Sequence, residues 1–92
     1  MSNLSDQFSA YLASRGRQLT HEKSLIVEQI AEMKRPFDHE MLIDELAKGN
    51  ENKFGRATVY RTVSHLLQAE LIREVSRFPG QKQFMVLPPS DA

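Results

Sequence analysis

The groups best suited to hold a ligand are concentrated at residues 55–68, where the chain reads Gly55-Arg56-Ala57-Thr58-Val59-Tyr60-Arg61-Thr62-Val63-Ser64-His65-Leu66-Leu67-Gln68. Wound as a helix at about 100° per residue, Val59, Val63, Leu66 and Leu67 make one apolar stripe. Arg61, Ser64 and Gln68 fall on the opposite side, with Tyr60 on the flank. Such a helix presses one face on a core and offers the other outward. The outward residue types suit a nucleic acid. Ala57 lets the backbone approach a phosphate, and the free N–H groups of a first helical turn favour an anion. Thr58 can donate to a phosphate oxygen. Tyr60 can lie against a thymine methyl, and Arg61 can reach guanine or a phosphate. Taken alone, Tyr60 would read as cover for the edge of a core, and Arg56 and Arg61 as solvated surface charges.

Charge distribution favours the binding reading. The 92 residues carry 12 basic and 12 acidic side chains, a net charge of zero. From Asn52 to Ala69 there is no acid, yet Lys53, Arg56 and Arg61 fall there. From Val75 to Ser90 there is again none, and Arg77 and Lys82 are present. Most of the acids lie between Glu22 and Glu51. Segregation of this kind builds a basic face on a neutral molecule.

Other chemistries find little support. Without cysteine there is no disulfide, thiolate metal site or thiol nucleophile. His21, His39 and His65 fall on different expected helices, and consecutive residues such as Asp38-His39-Glu40 point about 100° apart on a helix. No metal or other cofactor is therefore expected within this chain, and His39 and Glu40 read as surface residues of a first turn. Ser64-His65 are neighbours without a third orienting group, and no glycine-rich phosphate loop occurs, so an enzyme is not expected. No apolar run approaches a membrane span, and the first residues lack the pattern of a signal peptide. A cytoplasmic protein with no membrane partner is the expectation.

Four helices and a hairpin would position these groups. Phe8, Tyr11 and Leu12 share a face of a first helix from about Ser5, its cap, to Arg15, and Gly16 stops it. Thr20 caps a second, with Leu25, Ile26, Ile30 and Met33 inward and Pro36 at its end. Asp38 caps a third, Phe37 stapling onto Leu42, with Met41, Ile43 and Leu46 as further apolar contacts. The fourth runs 56–69. Residues 71–77 and 82–87 then change to strand formers around Phe78-Pro79-Gly80-Gln81, where proline and glycine suit the two central positions of a type II turn. A lone hairpin is marginal in water and must lie on the helices, leaving its tip to project. The fold class expected is therefore mainly α with a small antiparallel hairpin, a winged helix-turn-helix. The domain is expected over 1–87, with 88–92 a linker or frayed tail.

In that arrangement the fourth helix enters the major groove of double-stranded DNA, and the 71–87 wing tracks the backbone through Arg77 and Lys82. The string Ala57-Thr58-Val59-Tyr60-Arg61-Thr62-Val63, followed by Leu66 and Leu71-Ile72, resembles the signature of the ferric uptake regulator family. Phe8…Tyr11-Leu12…Gly16-Arg17-Gln18-Leu19-Thr20, Ile26…Ile30 and Phe37-Asp38…Leu42…Leu46 are similar to its earlier helices. The resemblance implies a transcriptional repressor of metal homeostasis, a homodimer at full length and a weak dimer or none from this chain alone. It also implies basic residues after the first helix near the minor groove, here Arg17 and Lys23, with Gln18 where the family often has a base. The family's second half, a dimerisation domain loaded with iron or zinc, has no counterpart in these residues. Pro36 and Met85 stand where the family's first half often supplies a histidine and a glutamate. Glu70 replaces a common glycine, at roughly 1 kcal/mol if left-handed. The competing expectation is a winged helix that binds protein, without direct DNA readout.

Overall fold

The computed structural model describes residues 4–49, 55–76, 79–80 and 82–87. Four helices, α1 (Leu4–Ser14), α2 (His21–Glu32), α3 (His39–Gly49) and α4 (Arg56–Gln68), precede two antiparallel strands, β1 (Ile72–Val75) and β2 (Gln83–Val86). This is the expected winged helix-turn-helix order, with α3 and α4 as the helix-turn-helix pair.

The helix ends follow local chemistry. Thr20 Oγ1 accepts from Lys23 N at 3.2 Å, and Asp38 Oδ1 from Met41 N at 2.8 Å, so two of the expected caps form. Ser5 does not cap α1, which already includes Leu4. Helix α2 ends at Glu32 rather than at Pro36, because Met33 is already extended, φ −83° and ψ 102°. The extended connector carries Phe37 to the hairpin. α1 and α4 end alike. Arg17 N donates to Leu12 O at 2.8 Å across Gly16, φ +70°, and Leu71 N donates to Leu66 O at 3.1 Å across Glu70, φ +59°. Glu70 thus holds the left-handed position that favours glycine, at a cost of about 1–2 kcal/mol.

The core draws on every element. Phe8 and Leu12 come from α1, Ile26, Val27 and Ile30 from α2, Leu42 and Leu46 from α3, and Val59, Val63 and Leu66 from α4. Phe37 from the connector, Ile72 from β1 and Phe84 from β2 complete it. The stripe expected on α4 is the inward one. Thr62 joins it, fully buried, because its hydroxyl donates to Thr58 O at 2.8 Å and leaves no polar group unsatisfied. On α2, Val27 replaces Leu25 in the fully buried set, and Met41 on α3 is 38% exposed rather than packed. The register Ile72↔Val86 through Val75↔Gln83 fixes the hairpin, and Gly80 takes the positive φ expected of it, +85°. Phe37 pairs across the outer edge of β2, donating to Phe84 O at 2.9 Å and accepting from Phe84 N at 2.6 Å. That single residue pins the wing to the entrance of α3.

Candidate nucleic-acid interface

The face of α4 turned from the core carries Arg61, Ser64 and Gln68, all exposed. At its N-terminus Gly55 offers no side-chain cap, and the first intrahelical bonds are those of Thr58 N and Val59 N to Gly55 O. The N–H groups of Arg56 and Ala57 therefore keep their donors free among the described residues, beside an exposed Ala57 and a half-buried Thr58. Two clusters flank this face.

The first lies where α1, α2 and α4 meet. Tyr11, Leu12, Arg15, Arg17, His65 and Gln68 line an open groove. The Arg15 guanidinium sits 4.7 Å over the Tyr11 ring. Burial lowers the His65 pKa from its ordinary value, and Lys23, Arg17 and Arg61 lower it further, so all three cations lie within electrostatic range of the imidazole. His65 Nδ1 is buried without a hydrogen-bond partner among the described residues, an arrangement that suits a lone pair rather than a proton. Among the described residues, none of Arg15, Arg17, Lys23 and Arg61 has an acidic partner within ion-pair distance. Three of the residues expected at the site, Arg17, Lys23 and Arg61, are thus brought together. Arg15 and His65 join them. In the sequence Arg15 is legible only as the end of a helix, and His65 reads either as a surface histidine or as a phosphate contact near the outer face of its helix.

The second cluster lies between the start of α3, the start of α4 and the wing. Asp38, His39, Glu40, Tyr60, Gly80, Lys82 and Gln83 line it. Tyr60, 45% exposed, stacks flat on the His39 imidazole, with ring centroids 3.9 Å apart and planes 2° from parallel. His39 in turn meets Phe84 edge-on, at 5.0 Å and 73°. Burial lowers the His39 pKa, while Asp38 and Glu40 act in the opposite sense. Four residues before Tyr60, Arg56 makes a two-point fork with Glu40, Nη1 to Oε2 at 2.5 Å and Nη2 to Oε1 at 2.8 Å. His39 and Glu40 are the first-turn residues of α3 that the sequence suggests, with Glu40 exposed and His39 half-buried, and each also meets a residue of the α4 N-terminal half. Consecutive positions on α3 meet residues one turn apart on α4 because the two helices approach each other at these ends. Lys82 is exposed on the wing side of this groove, and Arg77 lies outside the described residues.

Neither cluster fits iron or zinc. Among the described residues no three of His, Asp and Glu converge as a ligand set. Asp38 is occupied as a cap, His39 as a stacking ring and Glu40 as the partner of Arg56. Pro36 has no donor, and exposed Met85 offers only a soft thioether. No helix among the described residues is long and apolar enough to cross a membrane.

Solved structures of similar fold include a "manganese uptake regulator", matched at TM-score 0.78 with 22% identity over 98% of this chain and 62% of that one. PerR from Streptococcus pyogenes, whose structure is described as a basis for peroxide sensing and gene regulation, matches at 0.73 with 13% identity over 90% and 56%. The Vibrio cholerae ferric uptake regulator matches at 0.69 with 24% identity over 88% and 62%. The chain thus spans less than two thirds of each of these proteins. No curated protein sequence matches it. The model of the family described as "Ferric uptake regulator family" matches residues 14–90, and on that span the chain belongs to the ferric uptake regulator family.

Proposed function

We propose that this chain is the DNA-contacting part of a cytoplasmic transcriptional repressor, with the 56–69 helix in the major groove. The observation that carries the reading is a set of cations without acidic partners among the described residues, Arg17, Lys23 and Arg61, beside the solvent face of a helix whose other face is buried. Arg61 and Tyr60 reach bases, and Ala57, Thr58 and Ser64 meet the backbone near the α4 N-terminus. Arg17 and Lys23 approach the neighbouring minor groove, while Lys82 and Arg77 of the wing follow phosphates. Arg56, tied to Glu40, meets phosphate only by leaving that pair.

The relatives are named for manganese uptake, iron uptake and peroxide sensing. By extension the whole protein acts as a homodimer on two half-sites and answers a metal or redox signal, which the described residues are not equipped to ligate. Residues 1–87 are the binding unit and 88–92 a link.

The test is salt-dependent binding. The chain should bind duplex DNA with affinity that falls steeply between 50 and 200 mM salt, because each phosphate contact releases counterions. Arg61→Ala should weaken binding by about 10- to 100-fold. A flat salt response would instead favour a winged helix that docks on protein, and unchanged affinity for Arg61→Ala would remove that residue from the interface.

A further inference from the structure

We propose that His39 is a positioning residue that holds the Tyr60 ring in one orientation for base contact. The proposal rests on the reading of Tyr60 as a DNA contact. A half-exposed tyrosine on a helix surface ordinarily samples several rotamers, and ordering such a side chain on binding lowers affinity. Here the ordering is built in. One face of Tyr60 lies flat on His39 at 3.9 Å, while 45% of the residue remains open to solvent. The supporting imidazole is itself held, because it makes a T-shaped contact with Phe84, which is 3% exposed. Phe84 is held in turn by two backbone hydrogen bonds to Phe37. A chain of contacts therefore runs from the α2–α3 connector through the wing to the tyrosine. The Glu40–Arg56 fork, one helical turn from Tyr60, keeps the ends of α3 and α4 together independently of the rings. Burial depresses the imidazole pKa, so the stacking ring is uncharged at neutral pH. Offset-stacked and edge-to-face rings attract beyond their buried area.

The experiment uses the 92-residue chain and a duplex that it enriches from a random pool. The thymines of that duplex are replaced singly by deoxyuridine, which deletes the methyl group that Tyr60 would touch. Wild type should lose about fivefold in affinity at one thymine, and Tyr60→Ala should bind about tenfold more weakly and ignore that methyl. His39→Ala should bind about three- to tenfold more weakly and lose most of the methyl sensitivity. His39→Phe, which keeps a flat ring, should restore both. Without DNA, the Tyr60 ring protons should show upfield ring-current shifts in wild type and His39→Phe that vanish in His39→Ala. If His39→Ala does not fold, His39→Phe against His39→Gln decides on the same terms. His39→Ala that matches wild type in affinity and methyl sensitivity, with Tyr60→Ala weak, overturns the role of His39 alone. Equal weakness of His39→Phe and His39→Ala overturns it as well, since the loss is then not one of ring support. Unchanged affinity of Tyr60→Ala overturns the base contact and this proposal with it.

Discussion

Two histidines with pKa values depressed by burial flank the exposed face of α4, and their neighbours differ in almost every other respect. His39 stands among carboxylates and rings. Asp38 and Glu40 adjoin it, Tyr60 covers its face and Phe84 meets its edge, and each of these groups has an identified partner or cap. His65 stands among cations. Lys23, Arg17 and Arg61 act on it electrostatically, Arg15 and Arg17 line the same groove, and its Nδ1 has no partner among the described residues. One corner is internally satisfied and lends shape. The other has like charges gathered without an acidic partner among the described residues, an arrangement that an anion relieves. One corner thus fixes Tyr60 in place, and the other gathers positive charge beside the same helix.

That division can be broken by mutation. The largest effect belongs to the satisfied corner. Phe84→Ala empties a core position, unseats the edge contact to His39 and should cost about 3–5 kcal/mol in denaturant unfolding. A loss below 1 kcal/mol would mean that the wing is not held where it is described. Next, Arg17→Ala with Lys23→Ala should leave folding within about 0.5 kcal/mol of wild type. The same double variant should reduce the salt slope of DNA binding by about 2. Loss of folding stability without loss of slope would reverse the roles assigned to the two corners.

The smallest effect is a pH dependence, and it separates the histidines. Both have folded pKa values below the ordinary 6.5, so the stability they contribute is complete above that value. It is lost as pH falls through the folded values, because the unfolded chain takes up protons first. DNA binding should respond with the opposite sign. Phosphates offset Arg17, Lys23 and Arg61, raise the His65 pKa in the complex, and make affinity increase as pH falls below about 6.5. The gain should reach at most about tenfold if the complex raises that pKa by one. His65→Gln should flatten the rise in a titration of Kd against pH, whereas His39→Gln should leave its slope in place.

Much of the scaffold is readable in the sequence because the relevant signals are local. Thr20 and Asp38 act within one helical turn, the Val59–Val63–Leu66 stripe within three turns, and the Pro79-Gly80 turn within its own hairpin. Glu70 stands out only through the family resemblance, as the replacement of a common glycine, and it does take the left-handed conformation. The site is readable only as a list of outward residues. Periodicity tells which way Tyr60 and Arg56 face but not what meets them, and their partners lie on α3, with Glu40 16 residues before Arg56. Asp38-His39-Glu40 reads as a cap and two surface residues that cannot share an ion, because adjacent helical residues diverge. Their divergence is what lets the last two reach separate targets. Thr62 is hidden because a hydroxyl breaks an apolar pattern even when it bonds its own helix.

The pairing of Phe37 with Phe84 bears finally on how the protein avoids sticking to itself. An isolated two-stranded ribbon presents two unsatisfied margins, each a template on which a stray chain could add and begin a fibril. Here the β2 margin is interrupted midway by a residue of the same molecule, so a foreign strand would have to displace two hydrogen bonds. The remaining margin belongs to β1, whose exposed Arg73 and Glu74 make further growth unattractive.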